Sequence, residues 1–371
     1  MLRDAPTASN TERYQPEEEL VVDDGKLQAF MSQAVSDLGA AISGLMVHIG
    51  DELGLYRAMA GAGRLTAGEL AERTGCDPRF VEEWLNNQAA GGYVAYRSDQ
   101  GAYELQPEQA LALADENSPV FIAGGFGSVA AAWAGTPKYI DAFRTGKGVG
   151  WDEQDPRLFR GTERFFRPGY RAHLVPAWLP ALDDVEDRLR AGATAADVGC
   201  GHGASTILMA EAYPNSRFVG FDLHPASIDT ARKRAAEAGV ADRASFEVAS
   251  AKDYPGGDYD LITFFDCLHD MGDPEGAVRH ARSAIADNGT VMLVEPYAGD
   301  RTEDNFTPVG RAFYGFSTVL CTMASKSQEV GLALGAQAGE ARWREIFTVA
   351  GFSRFRRATE TPFNLILEAQ P

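Results

Sequence analysis

The sequence is poor in cysteine and has no long, uninterrupted hydrophobic run. Only four cysteines occur among 371 residues, and their spacing forms none of the paired patterns of structural zinc sites. No stretch reaches the roughly 20 apolar residues of a membrane span, and the amino terminus lacks the apolar segment of a signal peptide. We therefore expect a cytoplasmic protein with reduced thiols and no membrane partner.

Positive charge is also scarce. There are 34 lysines and arginines against 53 aspartates and glutamates, which gives a formal net charge of −19. Such a charge opposes binding to nucleic acid and to anionic membranes, and it is compatible with a small-molecule substrate. The six histidines form no cluster with acids at metal-ligand spacing, so no metal requirement is predicted.

The most informative stretch is AADVGCGHG at residues 195–203, followed by FVGFD at residues 218–222. The first apolar run predicts a strand, the glycines after it a tight turn, and the helical pattern a helix. The second apolar run predicts another strand, which ends in a carboxylate. An open α/β sheet binds nucleotides at the carboxyl ends of its strands, where Asp222 can accept ribose hydroxyl protons. Gly199, Gly201 and Gly203 have no Cβ, so the backbone at these positions can approach a ligand closely.

Further apolar runs predict the rest of this sheet. Strands are expected at residues 244–249, 259–265 and 290–294, the last after a turn at Asn288-Gly289. Residues 352–368 predict a closing hairpin. The fold class is therefore α/β, with the nucleotide-binding domain at residues 191–371.

The amino-terminal third predicts a mainly α-helical domain. Residues 1–23 are expected to be a flexible arm, and residues 24–110 to be helices plus a winged helix. A capping box at Thr66 and Glu69, then Asp77-Pro78, mark two helices ahead of a hairpin. The second helix carries Glu82 and Glu83, and residues 51–104 hold nine acids and five bases. This excess of acids over bases disfavours sequence-specific DNA binding by the winged helix.

The motif Asp197-x-Gly-x-Gly-x-Gly203, the acid Asp222 and the segment His269-Asp270 resemble class I S-adenosylmethionine (SAM) methyltransferases. Among these enzymes, the chain is similar to small-molecule O-methyltransferases that have an amino-terminal winged-helix dimerisation domain. The resemblance implies a Rossmann-like sheet, SAM as cofactor, S-adenosylhomocysteine as product and a homodimer. It is strongest over residues 195–300 and weaker before residue 110.

The same resemblance assigns cofactor contacts. It places the glycine turn against the methionine part of SAM and Asp197 near its ammonium end. Asp266 is expected either to contact that ammonium end or to cap a helix. Family members often carry an acid near the adenine amino group, where this chain has Ser250. The set implied to bind the cofactor is Asp197, Gly199, Gly201, Gly203, Asp222, Leu223, Ser250, Ala251 and Asp266.

In that family the histidine is the general base, which implies His269 as base and Glu295 as the acid that orients it. An imidazole near neutral pKa can deprotonate a phenol. The alternative is a loop histidine that bonds nearby backbone. This chain departs from the family at two positions. Met271 replaces a tryptophan that usually follows the His-Asp pair, and Gln337, with Glu340 nearby, stands where the family usually has a second acid.

Aromatic residues outside the sheet are candidates for the acceptor pocket. Residues 111–190 are expected to be a helical connector, and residues 301–339 an insertion over the active site. The candidates for substrate contact are Trp151, Phe166, Phe313, Tyr314 and Phe316, with core filling as the alternative.

These observations predict SAM-dependent methyl transfer to a small molecule, most directly to an aromatic hydroxyl. One alternative is transfer to nitrogen, carbon or a carboxylate. Another, from a different class, is a SAM-sensing regulator that binds DNA through the winged helix.

Overall fold

A computed structural model describes residues 22–371. The described residues divide into two units, 22–43 and 44–371, and nearly all of the arm expected at residues 1–23 lies outside them. In the first, the described residues lead into a long helix that exposes a series of apolar side chains: Val22, Leu27, Phe30, Met31, Val35, Leu38 and Ile42. By length and mean hydropathy alone this helix could cross a membrane, whereas no stretch of the sequence was expected to be long and apolar enough to do so. Helices that pack against protein meet the same criteria.

Within the described residues, the helices are α1 (Asp24–Glu52), α2 (Leu55–Met59), α3 (Ala67–Thr74), α4 (Pro78–Ala90), α5 (Pro107–Leu113), α6 (Ala123–Ala134), α7 (Thr136–Thr145), α8 (Arg157–His173), α9 (Val185–Ala191), α10 (Ala204–Ala212), α11 (Pro225–Glu237), α12 (Pro274–Ala284), α13 (Pro308–Phe316), α14 (Thr322–Ser327) and α15 (Gly339–Val349). The strands are β1 (Arg64–Leu65), β2 (Ala95–Arg97), β3 (Ala102–Glu104), β4 (Thr194–Val198), β5 (Arg217–Asp222), β6 (Ala244–Val248), β7 (Tyr259–Phe265), β8 (Ile285–Pro296), β9 (Arg354–Glu360) and β10 (Asn364–Gln370).

The second unit begins with a small domain in which α3 and α4 precede a hairpin. Thr66 and Glu69 form the expected capping box, and Asp77 caps α4. The hairpin of β2 and β3 gains a short third strand, in the order β1-β3-β2. On α4, the Arg79 guanidinium pairs with Glu82 and Glu83, so its charge is already neutralised within the helix.

The main sheet has seven strands in the order β6-β5-β4-β7-β8-β10-β9. The first five run parallel, and β10 pairs antiparallel with both β8 and β9. Apolar clusters cover both faces, as a mostly parallel sheet requires. The predicted α/β, Rossmann-like fold is confirmed.

The expected turn at Asn288-Gly289 is wrong, because β8 already begins at Ile285. A Cβ on Gly289 would lie 2.6 Å from the Ile285 side chain and 2.7 Å from the Tyr259 carbonyl oxygen. The glycine is therefore needed for close packing within an irregular stretch of the β7–β8 pair.

Helix α8 connects the small domain to the main sheet. Its Arg164 guanidinium contacts the Asp51 carboxylate through two nitrogens, at 2.5 and 2.9 Å, and Glu116 at 2.6 Å. The charged groups of Arg164 and Asp51 are buried. A bidentate pair of this kind fixes the orientation of both groups, so α8 is held firmly at one end.

Candidate active site

Four neighbouring parallel strands end at one edge of the sheet, and each end carries a functional candidate. The glycine turn follows β4, Asp222 ends β5, Asp266 follows β7 and Glu295 lies near the end of β8. The strand order reverses between β4 and β7. Ligands of open α/β sheets bind in the crevice at such a reversal.

The glycine turn adopts the backbone that its sequence requires. Gly199, Gly201 and Gly203 have φ values of 77°, 51° and 77°, which lie in the left-handed region that favours glycine. A Cβ on Gly199 would meet the Cys267 sulfur at 2.6 Å, whereas one on Gly201 would face open space. Asp222 holds the turn in place, because its carboxylate accepts hydrogen bonds from the amides of Gly201 and His224 at 2.9 and 2.8 Å.

Asp197 lies behind this turn. It is buried, and its carboxylate accepts hydrogen bonds from Ser205 and Thr206 at 2.6 Å and from Thr263 at 3.1 Å. Burial raises the pKa of Asp197, and the three hydroxyls oppose that shift. Its contacts therefore fix the start of α10 to β4 and to the neighbouring strand β7.

Asp266 links β7 to two other elements. Its carboxylate accepts a hydrogen bond from the Tyr170 hydroxyl of α8 at 2.8 Å and another from the Asn364 amide of β10 at 2.9 Å. Its φ of 48° is in the left-handed region, which is unusual outside glycine. The helix-capping alternative is wrong, because Asp273 caps the following helix α12. Burial, and next the charge of Glu295, raise the pKa of Asp266 to about 8.

His269 is buried between two carboxylates. Its Nδ1 lies 2.5 Å from Glu295 Oε2, and its Nε2 lies 3.1 Å from Asp270 Oδ1. The alternative of a loop histidine bonded to backbone is therefore wrong. The first pairing was expected, but the second was not, because sequence adjacency says nothing about where the Asp270 side chain points.

The two carboxylates control the protonation of His269. Burial alone would lower its pKa, but the charges of Glu295 and Asp270 outweigh burial and raise the pKa of His269 well above its usual value. Burial likewise raises the pKa of Glu295 more than the imidazole lowers it.

The positions considered for the usual second acid serve other purposes. Gln337 donates an amide hydrogen bond to the Tyr297 carbonyl oxygen at 3.3 Å, just beyond the strand that carries Glu295. The Glu340 carboxylate pairs with Arg344 and, at 2.8 Å, with Arg357. In this chain the second carboxylate at His269 is instead Asp270.

The other residues expected to bind the cofactor, Leu223, Ser250 and Ala251, lie beside Asp222. Leu223 is 61% exposed although it is a large apolar residue. Ser250 and Ala251 are half-buried at the end of β6, and the Ala249 amide donates to the Asp222 carbonyl oxygen. An apolar surface and a polar loop are thus adjacent to the carboxylate.

Sequence reasoning missed a cluster that ties α8 to the glycine turn. Glu163 of α8 contacts His202 Nδ1 at 3.0 Å and pairs with Arg234 of α11. Burial would raise the pKa of Glu163, but His202 and Arg234 outweigh it and lower the pKa to about 2. Nearby, Phe159 stacks on His224 with ring centroids 4.8 Å apart. No local pattern marks these pairs, because their partners are distant in sequence.

The acceptor candidates separate into two groups. Phe313 and Leu158 are buried in a cluster against which Trp151 and Phe316 pack. Phe166 instead stacks on Tyr170, with ring centroids 6.0 Å apart, beside the main core. Tyr314 is half-buried. The cluster around Phe313 also contains Cys321, whose sulfur lies within 4.8 Å of the ligand atoms of His269 and Asp270.

Comparison with known proteins agrees with this architecture. Residues 189–351 match a methyltransferase domain family, and residues 40–115 match the Rv2258c-like winged HTH domain. The chain therefore carries a methyltransferase domain behind a winged helix-turn-helix domain.

Two curated relatives are similar over part of the chain. The 27-O-demethylrifamycin SV methyltransferase of Amycolatopsis mediterranei is 34% identical over 145 residues, which is 38% of this chain and 48% of that protein. The ajmaline N-methyltransferase of Rauvolfia serpentina is 31% identical over 134 residues, 34% of this chain and 45% of that protein. This chain thus spans about half the length of the curated relatives it matches.

A solved structure is similar over nearly the whole chain. The O-methyltransferase NcsB1 from neocarzinostatin biosynthesis was crystallised with SAM and 2-hydroxy-5-methyl naphthoic acid. It is 19% identical, with a TM-score of 0.63, and the alignment covers 91% of this chain and 97% of that one. This likeness shows that the two chains share a fold.

Proposed function

We propose that this protein transfers the methyl group of SAM to a small-molecule acceptor, most directly an aromatic hydroxyl. One observation carries the proposal. The reversal point of the sheet combines a glycine turn with acids that lie at or just beyond the ends of neighbouring strands, Asp222, Asp266 and Glu295. Such an edge suits a ligand with positive charge, and SAM carries both a sulfonium and an ammonium group.

The residues present fit SAM. Gly201 leaves open space beside the Asp222 carboxylate, which would accept the ribose hydroxyls, and the exposed Leu223 would contact adenine. Ser250 and Ala251 would supply polar and backbone contacts at the other side of the ring. When bound, SAM supplies an electrophilic methyl group.

Two acids would act at the methionine end, in different ways. Asp266 would face the ammonium group, held by Tyr170 and Asn364. Asp197 has its oxygens bonded to three hydroxyls, so we propose that it acts indirectly, by fixing the glycine turn.

His269 would accept the proton of the acceptor hydroxyl. Glu295 binds Nδ1 and thereby leaves Nε2 as the proton-accepting atom. The positive charge that His269 gains is stabilised by Glu295 and Asp270. A phenol becomes a strong nucleophile only when it loses its proton, so this step activates the acceptor for attack on the methyl group.

The aromatic cluster of Trp151, Phe313 and Phe316 would contact a flat, apolar acceptor, with Phe166 and Tyr314 as further candidates. The cluster is joined to the base through Cys321, which belongs to it and lies beside His269. This continuity supports an aromatic acceptor.

Nitrogen is the second candidate for the methylated atom, since one relative is named as an N-methyltransferase. An uncharged amine needs less help from a base, so its methylation would depend weakly on His269. A SAM-sensing DNA regulator is disfavoured by the acidic α4, where Arg79 is already paired.

We also propose that the protein is a homodimer in the cytoplasm. Exposed apolar side chains on residues 22–43 need a partner surface, and the four cysteines are free thiols. Light scattering should give twice the monomer mass; a monomer at micromolar concentration would refute the dimer.

The direct test uses SAM labelled in its methyl group, with purified protein and a panel of phenols, amines and carboxylic acids. Label in a phenol establishes the proposed reaction. Label in amines alone establishes the alternative. SAM binding without any transfer, together with salt-dependent DNA retention, would refute both and favour the regulator.

A further inference from the structure

Three residues that are far apart in sequence place metal-binding atoms together beside the proposed base. The His269 and Asp270 donors lie in the turn after β7, and Cys321 ends the π-helical turn Ser317–Cys321 before α14. The three ligand atoms all lie within 4.8 Å of one another. The exposed fractions of the residues are 4%, 8% and 7%, so the cluster is inside the protein.

One atom of this cluster lacks a hydrogen-bond partner. Asp270 Oδ1 is buried without a hydrogen-bond partner, and it lies 3.1 Å from His269 Nε2 as an ion pair. An unsatisfied buried carboxylate oxygen is costly. It points to a ligand that binds Oδ1 and the other two donors at once.

We propose that His269, Asp270 and Cys321 form a binding site for a thiophilic divalent cation of the zinc class, and that the bound ion inhibits methyl transfer. One imidazole nitrogen, one carboxylate oxygen and one thiolate sulfur are ligands that Zn²⁺ prefers, and three protein ligands leave one position open. The inhibitory role rests on the proposed function, because the ion would occupy the Nε2 lone pair that the base uses.

Glu295 completes the arrangement. Histidines that bind zinc usually donate their other ring nitrogen to a carboxylate, which orients the ring. Glu295 has this relation to His269 Nδ1, at 2.5 Å. Zinc bonds of about 2.0–2.3 Å place neighbouring ligand atoms roughly 3.3–3.8 Å apart, so shifts of ~1 Å would close the site.

The charges and protons balance. The Cys321 thiol and the Nε2 of protonated His269 each lose a proton to solvent as their bonds to zinc form. Zn²⁺, the thiolate and the Asp270 carboxylate then sum to zero charge. Binding should consequently weaken at acid pH, where protons compete for the ligands.

The test titrates the chelator-treated full-length protein with Co²⁺, a spectroscopic substitute for zinc. We expect one bound ion and a sulfur-to-cobalt charge-transfer band. The band should disappear in Cys321→Ser and persist in Cys76→Ser, a control thiol in the winged-helix domain that bonds the Thr74 carbonyl. Asp270→Asn should weaken binding at least about 10-fold. Circular dichroism confirms the fold of each variant.

Inhibition is measured separately, as the ratio of methyl transfer with Zn²⁺ to that after addition of chelator. The ratio should be low for the natural protein and close to one for Cys321→Ser, each compared with its own metal-free rate. Absence of the charge-transfer band, or its persistence in Cys321→Ser, overturns the site. A band without inhibition overturns the regulatory role alone. Failure of methyl transfer in every protein would refute the proposed function and leave the cobalt result standing.

Discussion

The glycine turn and the His269 cluster lie at ends of neighbouring strands, but their residues come from different distances along the chain. The turn and Asp222 are supplied by one strand–helix–strand unit, residues 194–222. The His269 cluster draws Glu295 from β8 and Cys321 from beyond α13. Local geometry therefore specifies the glycine turn and Asp222 of the proposed cofactor half, whereas tertiary packing specifies the proposed acceptor half.

This difference explains what each half can tolerate. A turn built from positive-φ glycines admits few other residues, whatever the acceptor is. A cluster assembled from separate elements can change one member at a time, as with Gln337 where an acid is usual. Variants in the two halves should accordingly fail in different ways.

The largest effect is expected for His269→Ala. Loss of a general base typically lowers turnover by about 10²–10⁴-fold, while SAM affinity should change less than about threefold, because His269 is not among the proposed cofactor contacts. Steady-state kinetics and calorimetric SAM titration measure the two quantities. Turnover equal to that of the natural protein would remove His269 from the mechanism and favour the nitrogen acceptor.

The opposite pattern is expected for Asp222→Ala. Losing a charge-assisted contact costs about 1.5–3 kcal/mol, which corresponds to roughly 10–150-fold weaker SAM binding. Asp229→Asn is the matched control, since its exposed carboxylate on α11 pairs only at the surface with Arg232. If both variants bind SAM equally well, the ribose assignment is wrong.

The sequence predicted the glycine turn and the strands that end at Asp222 and Glu295, because apolar runs mark those strands. The family resemblance implied the pairing of His269 with Glu295. The sequence did not predict Asp270 as the second carboxylate or Cys321 as a neighbour of the base. Side-chain direction within a short 3₁₀ turn, and the path of residues 301–339, depend on packing that no local pattern records. The same limit applied at Gly289, where a turn residue lies inside a strand.

The pH dependence of the methyl-transfer rate should reveal the effect of Glu295 and Asp270 on the pKa of His269. A base must be neutral, so the rate should rise with pH through the pKa of His269, which the charges of Glu295 and Asp270 place above the usual value of about 6.5. Glu295→Gln removes one of those charges, lowers that pKa and should move the rise to lower pH by about one unit. Rates of chelator-treated protein with one acceptor measure this. A rise that stays in place or moves upward would contradict the role of Glu295.

The smallest effect is expected at the link between the halves, Glu163→Gln. The pKa of Glu163 is about 2, below its ordinary value, so its charge stabilises the fold above pH ~4.5 and that stabilisation is lost as pH falls towards 2. The variant should lose about 1–3 kcal/mol of unfolding free energy near neutral pH, and the gap to the natural protein should narrow near pH 3.

Urea unfolding at several pH values measures that gap, with Glu237→Gln as the control because its pair with Lys233 is exposed. SAM affinity should fall only a few-fold, since Glu163 acts on the turn through His202. A gap that does not change with pH would mean that Glu163 stabilises α8 by packing alone. If the difference in unfolding free energy narrows as expected but SAM affinity is unchanged, the glycine turn keeps its geometry without the contact to α8. Local sequence alone would then determine the geometry of that turn.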